Sequence, residues 1–97
     1  MPAYMIVFAD IKDREKFIAG YAPAASKLVA KHGGKYLIRA AGSEVLEGQQ
    51  RPGVSVVISE WPDKAAILRF WNSPEYQAAK AKRQGAGIAN IVLVEGV

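Results

Sequence analysis

Five residues of this 97-residue chain, Asp10, His32, Tyr36, Arg39 and Glu60, would supply acid–base or anion-binding chemistry if brought together at one end of a sheet. A carboxylate and an imidazole can exchange protons, and a guanidinium can clamp an anion through two parallel hydrogen bonds. His32 and Glu60 are therefore the candidate bases. Arg39 is the candidate anion clamp, with Tyr36 beside it, and the aromatic Trp71 and Tyr76 are candidates to wall a ligand. Each has a plainer reading. Arg39 and Glu60 suit a structural ion pair at a sheet edge. His32 precedes two glycines at a helix end, where a cation complements the negative end of the dipole. Trp61, Phe70, Trp71 and Tyr76 suit a core or a subunit seam, and Lys80, Lys82 and Arg83 a solvated helix end.

Other chemistries find little material. The chain has one histidine and no cysteine, and no HxH or HxxxH spacing, so no metal site is expected. Phosphate-cradle, nucleophile-elbow and zinc-protease patterns are absent, and the glycines at 33, 34, 85 and 87 do not follow a strand and open a helix as a dinucleotide fingerprint requires. No cofactor is expected.

The elements that would position these residues read clearly. Ala3 to Asp10 alternates as a strand with both faces apolar. Asp13 caps a helix running to about Lys31, with Pro23 inside it and a kink expected there. Gly33 and Gly34 end it, one of them at positive φ. Lys35 to Ala41 is a second strand; Gly42 and Ser43 interrupt it as a bend or bulge before Glu44 to Leu46 resumes, and residues 48–53 form a hairpin loop. Val54, Val56, Val57 and Ile58 are β-branched and read as a buried strand that ends at Trp61 and Pro62. Asp63 caps the next helix, with Ala66, Ile67, Phe70 and Trp71 at helical spacing. Ser73, Pro74 and Glu75 then start another, running to about Arg83. A last strand covers about Ile88 to Val94.

The order βαββαβ specifies an α+β, ferredoxin-like fold, a four-stranded antiparallel sheet backed by helices. With the first and third strands taken as parallel neighbours, Asp10 and Glu60 fall at one end of the sheet, and His32 returns there. Counting back from the hairpin with one bulge residue brings Arg39 within cross-strand reach of Glu60. An antiparallel sheet normally wets one face, yet Met5/Val7, Ile6/Phe8, Ile91/Leu93 and Val92/Val94 leave no polar face. A second copy packing sheet to sheet covers it most simply, so a homodimer is expected.

RNA-recognition modules share this element order but present stacking aromatics on a basic third strand. Here that strand reads VSVVISE, and no nucleic-acid partner is expected. The charge of +4, from 13 basic and 9 acidic residues, favours small anionic ligands only mildly. Residues 1–97 make one domain, small enough that a single core gives marginal stability. No apolar run approaches the roughly 20 residues of a membrane span, and the start lacks a signal-peptide pattern, so no membrane partner and a cytoplasmic location are expected.

HGGKYLIRAAGSEVLEG (32–48), VVISEWPDKAAILRFWNSPEYQAAKAKR (56–83), the opening AYMIVFADIKD and the terminal LVEGV together resemble the family known as domain of unknown function 1330. The resemblance covers nearly the whole chain. It implies dimeric α/β-barrel proteins, ferredoxin-like subunits joined through their sheets, and it implies no reaction. Trp61 stands where that family often has phenylalanine. Two functional expectations follow. One is a homodimeric module binding a small anionic or aromatic molecule between sheet and helices. The other is a cofactor-independent enzyme, of monooxygenase, isomerase or lyase type, using Glu60 or His32 as base in a pocket that raises a carboxylate pKa.

Overall fold

Three side-chain oxygens start the helices where the sequence places them. In a computed structural model describing residues 1–96, Asp13 accepts from the Lys16 amide at 3.0 Å, Asp63 from Ala66 at 2.8 Å and Ser73 from Tyr76 at 3.1 Å. Each satisfies one of the amides that a helix start leaves free. The last of these caps opens α4 (Pro74–Ala81), directly after α3 (Lys64–Asn72).

The first helical run is continuous but not uniform. A short turn α1 (Arg14–Lys16) leads into a π-helical turn (Phe17–Tyr21) and then α2 (Ala22–Lys31). The Ala22 amide reaches back five residues to the Phe17 carbonyl. Pro23 has no amide of its own, and its ring would press on the carbonyl four residues earlier. A wider turn placed just before it relieves that conflict, so the expected kink takes the form of a π-turn. Past α2, Gly33 adopts φ 91°. Gly34 is required by packing: a Cβ there would lie 2.7 Å from Val29 and 2.8 Å from the Trp61 ring.

The strands are β1 (Ala3–Ile11), β2 (Lys35–Ala40), β3 (Ser55–Trp61) and β4 (Gly87–Glu95), in the order β2-β3-β1-β4. All neighbours are antiparallel. This corrects the expectation that β1 and β3 run parallel. A helical crossover makes β1 and β2 parallel, and β3, folded back from β2 by a hairpin, slots between them and opposes both. Tyr4 therefore pairs with Glu60, and Asp10 lies at the other end of the sheet, opposite Ile88.

A second correction concerns β2. The register passes from Tyr36↔Ser59 to Ile38↔Ile58, so Leu37 is an extra residue, and the bulge lies inside the strand rather than at Gly42 and Ser43. The strand ends at Ala40, and Glu44 to Leu46 does not resume it. Ser43 instead anchors the loop, its hydroxyl donating to the Val54 carbonyl at 2.7 Å and its carbonyl accepting from Gly53.

Met5, Val29, Trp61, Ala66, Ile67, Phe70 and Tyr76 form the core on the helical side of the sheet. On the other side Ile88 is 62% exposed, Ile38 and Val92 47% each, and Val94 41%, around half-buried Ile6, Phe8, Val56 and Ile58. Among the described residues no helix is long and apolar enough to cross a membrane.

Candidate functional site

The helical side of the sheet is hollow over three of its strands. Odd residues of β1 point there, Met5 and Val7 pairing with Ser59 and Val57 of β3. The first helix crosses above with Ala22, Ala25 and Ser26 on its inner face, side chains too short to reach the sheet. The result is a hollow of about 360 Å³ between that helix and β1, β2 and β3, with Val29 and Phe70 also in its lining. Its lining is mainly apolar, and its polar groups are Arg14, Tyr21, Ser26, Tyr36, Arg39, Ser55 and Ser59.

Tyr36 and Arg39 reach the cavity together because of the Leu37 bulge. Successive strand residues alternate in face, so residues three apart would normally point to opposite sides; one extra residue puts them on the same side. Arg39 lies with its guanidinium 4.0 Å above the Tyr36 ring centre. That stack fixes the plane of the fork while leaving its N–H edge open. Among the described residues Arg39 makes no salt bridge.

The expected Arg39–Glu60 pair is not formed. Arg39 stands opposite Val57, and Lys35 opposite Glu60. Glu60 accepts from the Tyr4 hydroxyl at 3.2 Å, on the face away from the helices. Loss of hydration, and then the Glu60 carboxylate, raise the Tyr4 pKa above its ordinary value. His32 follows the end of α2, its ring edge-on to Phe70 at 6.0 Å and its Nε2 buried without a partner among the described residues. Neither His32 nor Glu60 lines the cavity, and Asp10 is far from both candidates, joined to Arg51 and, at 3.2 Å, to Lys12. Hydrogen bonds from those two cations hold its carboxyl below the usual range. The ring of His32, Tyr36, Arg39, Glu60 and Asp10 at one sheet mouth is thus dispersed, and only Tyr36 and Arg39 stay together.

The aromatic candidates also separate from the cavity. Tyr76 is 1% exposed and belongs to the core, and half-buried Trp71 packs on it at 5.1 Å with Lys80 4.8 Å above its ring. Neither lines the hollow. Tyr21 does, and its hydroxyl meets that of Tyr76 at 2.9 Å. Burial pushes the Tyr21 phenol far up, Tyr76 adding to the effect and Arg83 opposing it. Arg83 lies 5.3 Å from the Tyr21 ring centre with its Nε buried, so it is not part of a solvated helix end. Tyr21 is not among the candidates that the sequence singles out; the signal for it lies in the small side chains of Ala22 and Ala25, which leave space beside it.

Among the described residues no group of three His, Cys, Asp or Glu side chains is placed to hold a metal. The arrangement suits an apolar molecule with an anionic group, held by hydrogen-bond donors.

Solved structures share the architecture. A protein of unknown function from Rhodopseudomonas palustris, RPA0582, superposes with a TM-score of 0.80 at 21% identity, over 99% of this chain and 82% of that one. A dimeric ferredoxin-like protein of unknown function from Jannaschia gives 0.72 at 12% identity, over 99% and 100%. SnoaB, a cofactor-independent oxygenase from Streptomyces nogalater, gives 0.65 at 16% identity, over 99% and 92%. No curated protein matches. At these identities the likenesses establish a ferredoxin-like fold, and the sequence itself goes one step further: the family model described as Domain of unknown function (DUF1330) matches residues 2–97, and the chain belongs to that family.

Proposed function

We infer that the protein is a homodimeric binding module for a small aromatic or apolar molecule bearing an acid group, taken up between the sheet and the first helix of each subunit. The observation that carries this reading is the cavity of about 360 Å³ with Arg39 stacked on Tyr36 at its wall and no carboxylate in its lining. A cavity of about 150 Å³ lined by apolar side chains holds benzene, so this one has room for two fused rings. A guanidinium with no ion-pair partner among the described residues favours a carboxylate at one end of the ligand.

The homodimer is supported by the exposed apolar face of the sheet and by the dimeric state of the Jannaschia protein. Two such faces packed together would cover Phe8, Ile58 and Val92 and leave the cavities on the outside of the paired sheets.

SnoaB lends the catalytic alternative its interest, since a cofactor-independent oxygenase uses this fold. Glu60 or His32 as base is less well supported than binding, because both stand off the cavity wall. Calorimetric titration of the protein with naphthoic acid and with methylnaphthalene tests the binding reading. The acid should bind and the hydrocarbon bind much more weakly. Equal affinities would remove the role given to Arg39, and no binding of either would remove the ligand site.

A further inference from the structure

Two hydroxyls facing each other hold two protons, and the bond between them uses one. Tyr21 and Tyr76 are such a pair, 2.9 Å apart. Tyr76 is 1% exposed, in contact with the rings of Phe70 and Trp71, and among the described residues its hydroxyl has no other partner. If Tyr21 were the donor, the Tyr76 proton would be buried with no acceptor, which is the costly way to leave a polar group. The favoured arrangement has Tyr76 donating to Tyr21. The Tyr21 proton is then unused, and Tyr21 is the member of the pair that lines the cavity.

Arg83 acts in the same sense. Its guanidinium lies near the Tyr21 ring, 5.3 Å from the centre, with no carboxylate paired to it among the described residues. A cation there disfavours a hydroxyl proton pointing toward it, which agrees with Tyr21 accepting from Tyr76 and keeping its own proton for another acceptor. Tyr21 also stands on a different wall from the anion clamp. Arg39 rises from the edge strand β2, while Tyr21 hangs from the π-turn on the side where the first helix meets α4.

We propose that Tyr21 is a specificity-determining hydrogen-bond donor, and that the ligand is a two-ended molecule: a fused-ring acid whose carboxylate meets Arg39 and whose far end carries a carbonyl, ether or hydroxyl oxygen that accepts from Tyr21. This rests on the cavity being a ligand site. It adds a requirement which that reading does not contain, an acceptor remote from the acid.

A pair of probes separates the two claims. Methoxynaphthoic acid and the matching ethylnaphthoic acid, each substituted on the ring remote from the carboxyl group, have nearly the same shape and differ by one acceptor oxygen. Titrated calorimetrically into the wild-type protein, the methoxy acid should bind about fivefold more tightly, the ratio expected of one neutral hydrogen bond. Tyr21→Phe should bring the two acids level, with a melting curve confirming that the variant is folded. Tyr76→Phe should keep the preference, because Tyr21 retains its own proton. Equal wild-type affinities overturn the assignment while leaving the cavity as a ligand site, and need no variant to be read. A preference surviving in Tyr21→Phe, or lost in Tyr76→Phe, overturns it as well. If neither acid binds at millimolar concentration, the ligand site falls and the Tyr21 role with it.

Discussion

A guanidinium laid on a phenol ring loses little freedom when it binds an anion, because its plane is already set. Arg39→Ala should therefore weaken naphthoic acid by about tenfold, the scale of a charge-assisted hydrogen bond at a partly solvated site. It should leave the melting temperature almost unchanged, since no ion pair is lost. Arg39→Lys should recover only part of the affinity, a point charge replacing a fork; full recovery in the titration would show that the stack is irrelevant. Asp10 makes the opposite kind of prediction. Arg51 is the main cause of its lowered pKa. Its contribution to stability is complete above the ordinary carboxylate value of about 3.9 and is lost as pH falls through the lower folded value. In Arg51→Ala, a carboxyl-resolved NMR titration should find the Asp10 pKa moved up toward that ordinary value. The contrast also explains what was legible at this scale. The three caps at Asp13, Asp63 and Ser73 depend on neighbours three residues away and were readable. The partners of Arg39, Glu60 and Asp10 depend on which strand lies beside which, and one wrong strand direction scattered the whole set.

Among the elements, β2 decides most for its length. Its single extra residue, Leu37, is what lets Tyr36 and Arg39 share a face. Deleting Leu37 should restore plain alternation, and whichever half of the strand turns over, the two side chains end on opposite faces. Naphthoic acid binding should fall at least as far as in Arg39→Ala while the circular dichroism of the fold persists. Nothing in KYLIRA marks that bulge, because no glycine or proline signals it and a bulge with ordinary side chains is fixed by pairing alone. The π-turn was half legible: Pro23 announced a disturbance, but its form depends on how the helix meets the cavity and α4. The core side of α3 was largely legible from spacing: Ala66, Ile67 and Phe70 are buried as read, and Trp71 is half-buried. Phe70, 1% exposed and in contact with Trp61, Tyr76 and His32, should cost about 3–5 kcal/mol when cut to alanine, measured by denaturant unfolding.

At the scale of the whole molecule, the two apolar faces of the sheet were evident in the alternation of β1 and β4, and they carry the expectation of a second copy. Ile58→Asp places a charge in the middle of the face that such a partner would cover, next to Ile6 and Ile38. Native mass spectrometry is expected to find dimers of the wild-type protein and monomers of the variant; a dimer unaffected by the charge would put the subunit contact elsewhere.

The central strand β3 has a further consequence. Val57 faces the cavity, while Val56 and Ile58, its immediate neighbours, face the exposed side. A displacement of that backbone by an occupant of the proposed site would reach the other face with no intervening layer. Thermodynamic reciprocity then fixes the bookkeeping: whatever factor an aromatic acid adds to the self-association constant, self-association must return to the affinity for the acid. Sedimentation across a range of protein concentrations, with and without naphthoic acid, measures one of these factors, and titration at low and high protein concentration measures the other. A single strand only one residue thick would thereby make occupancy and assembly two readings of one equilibrium.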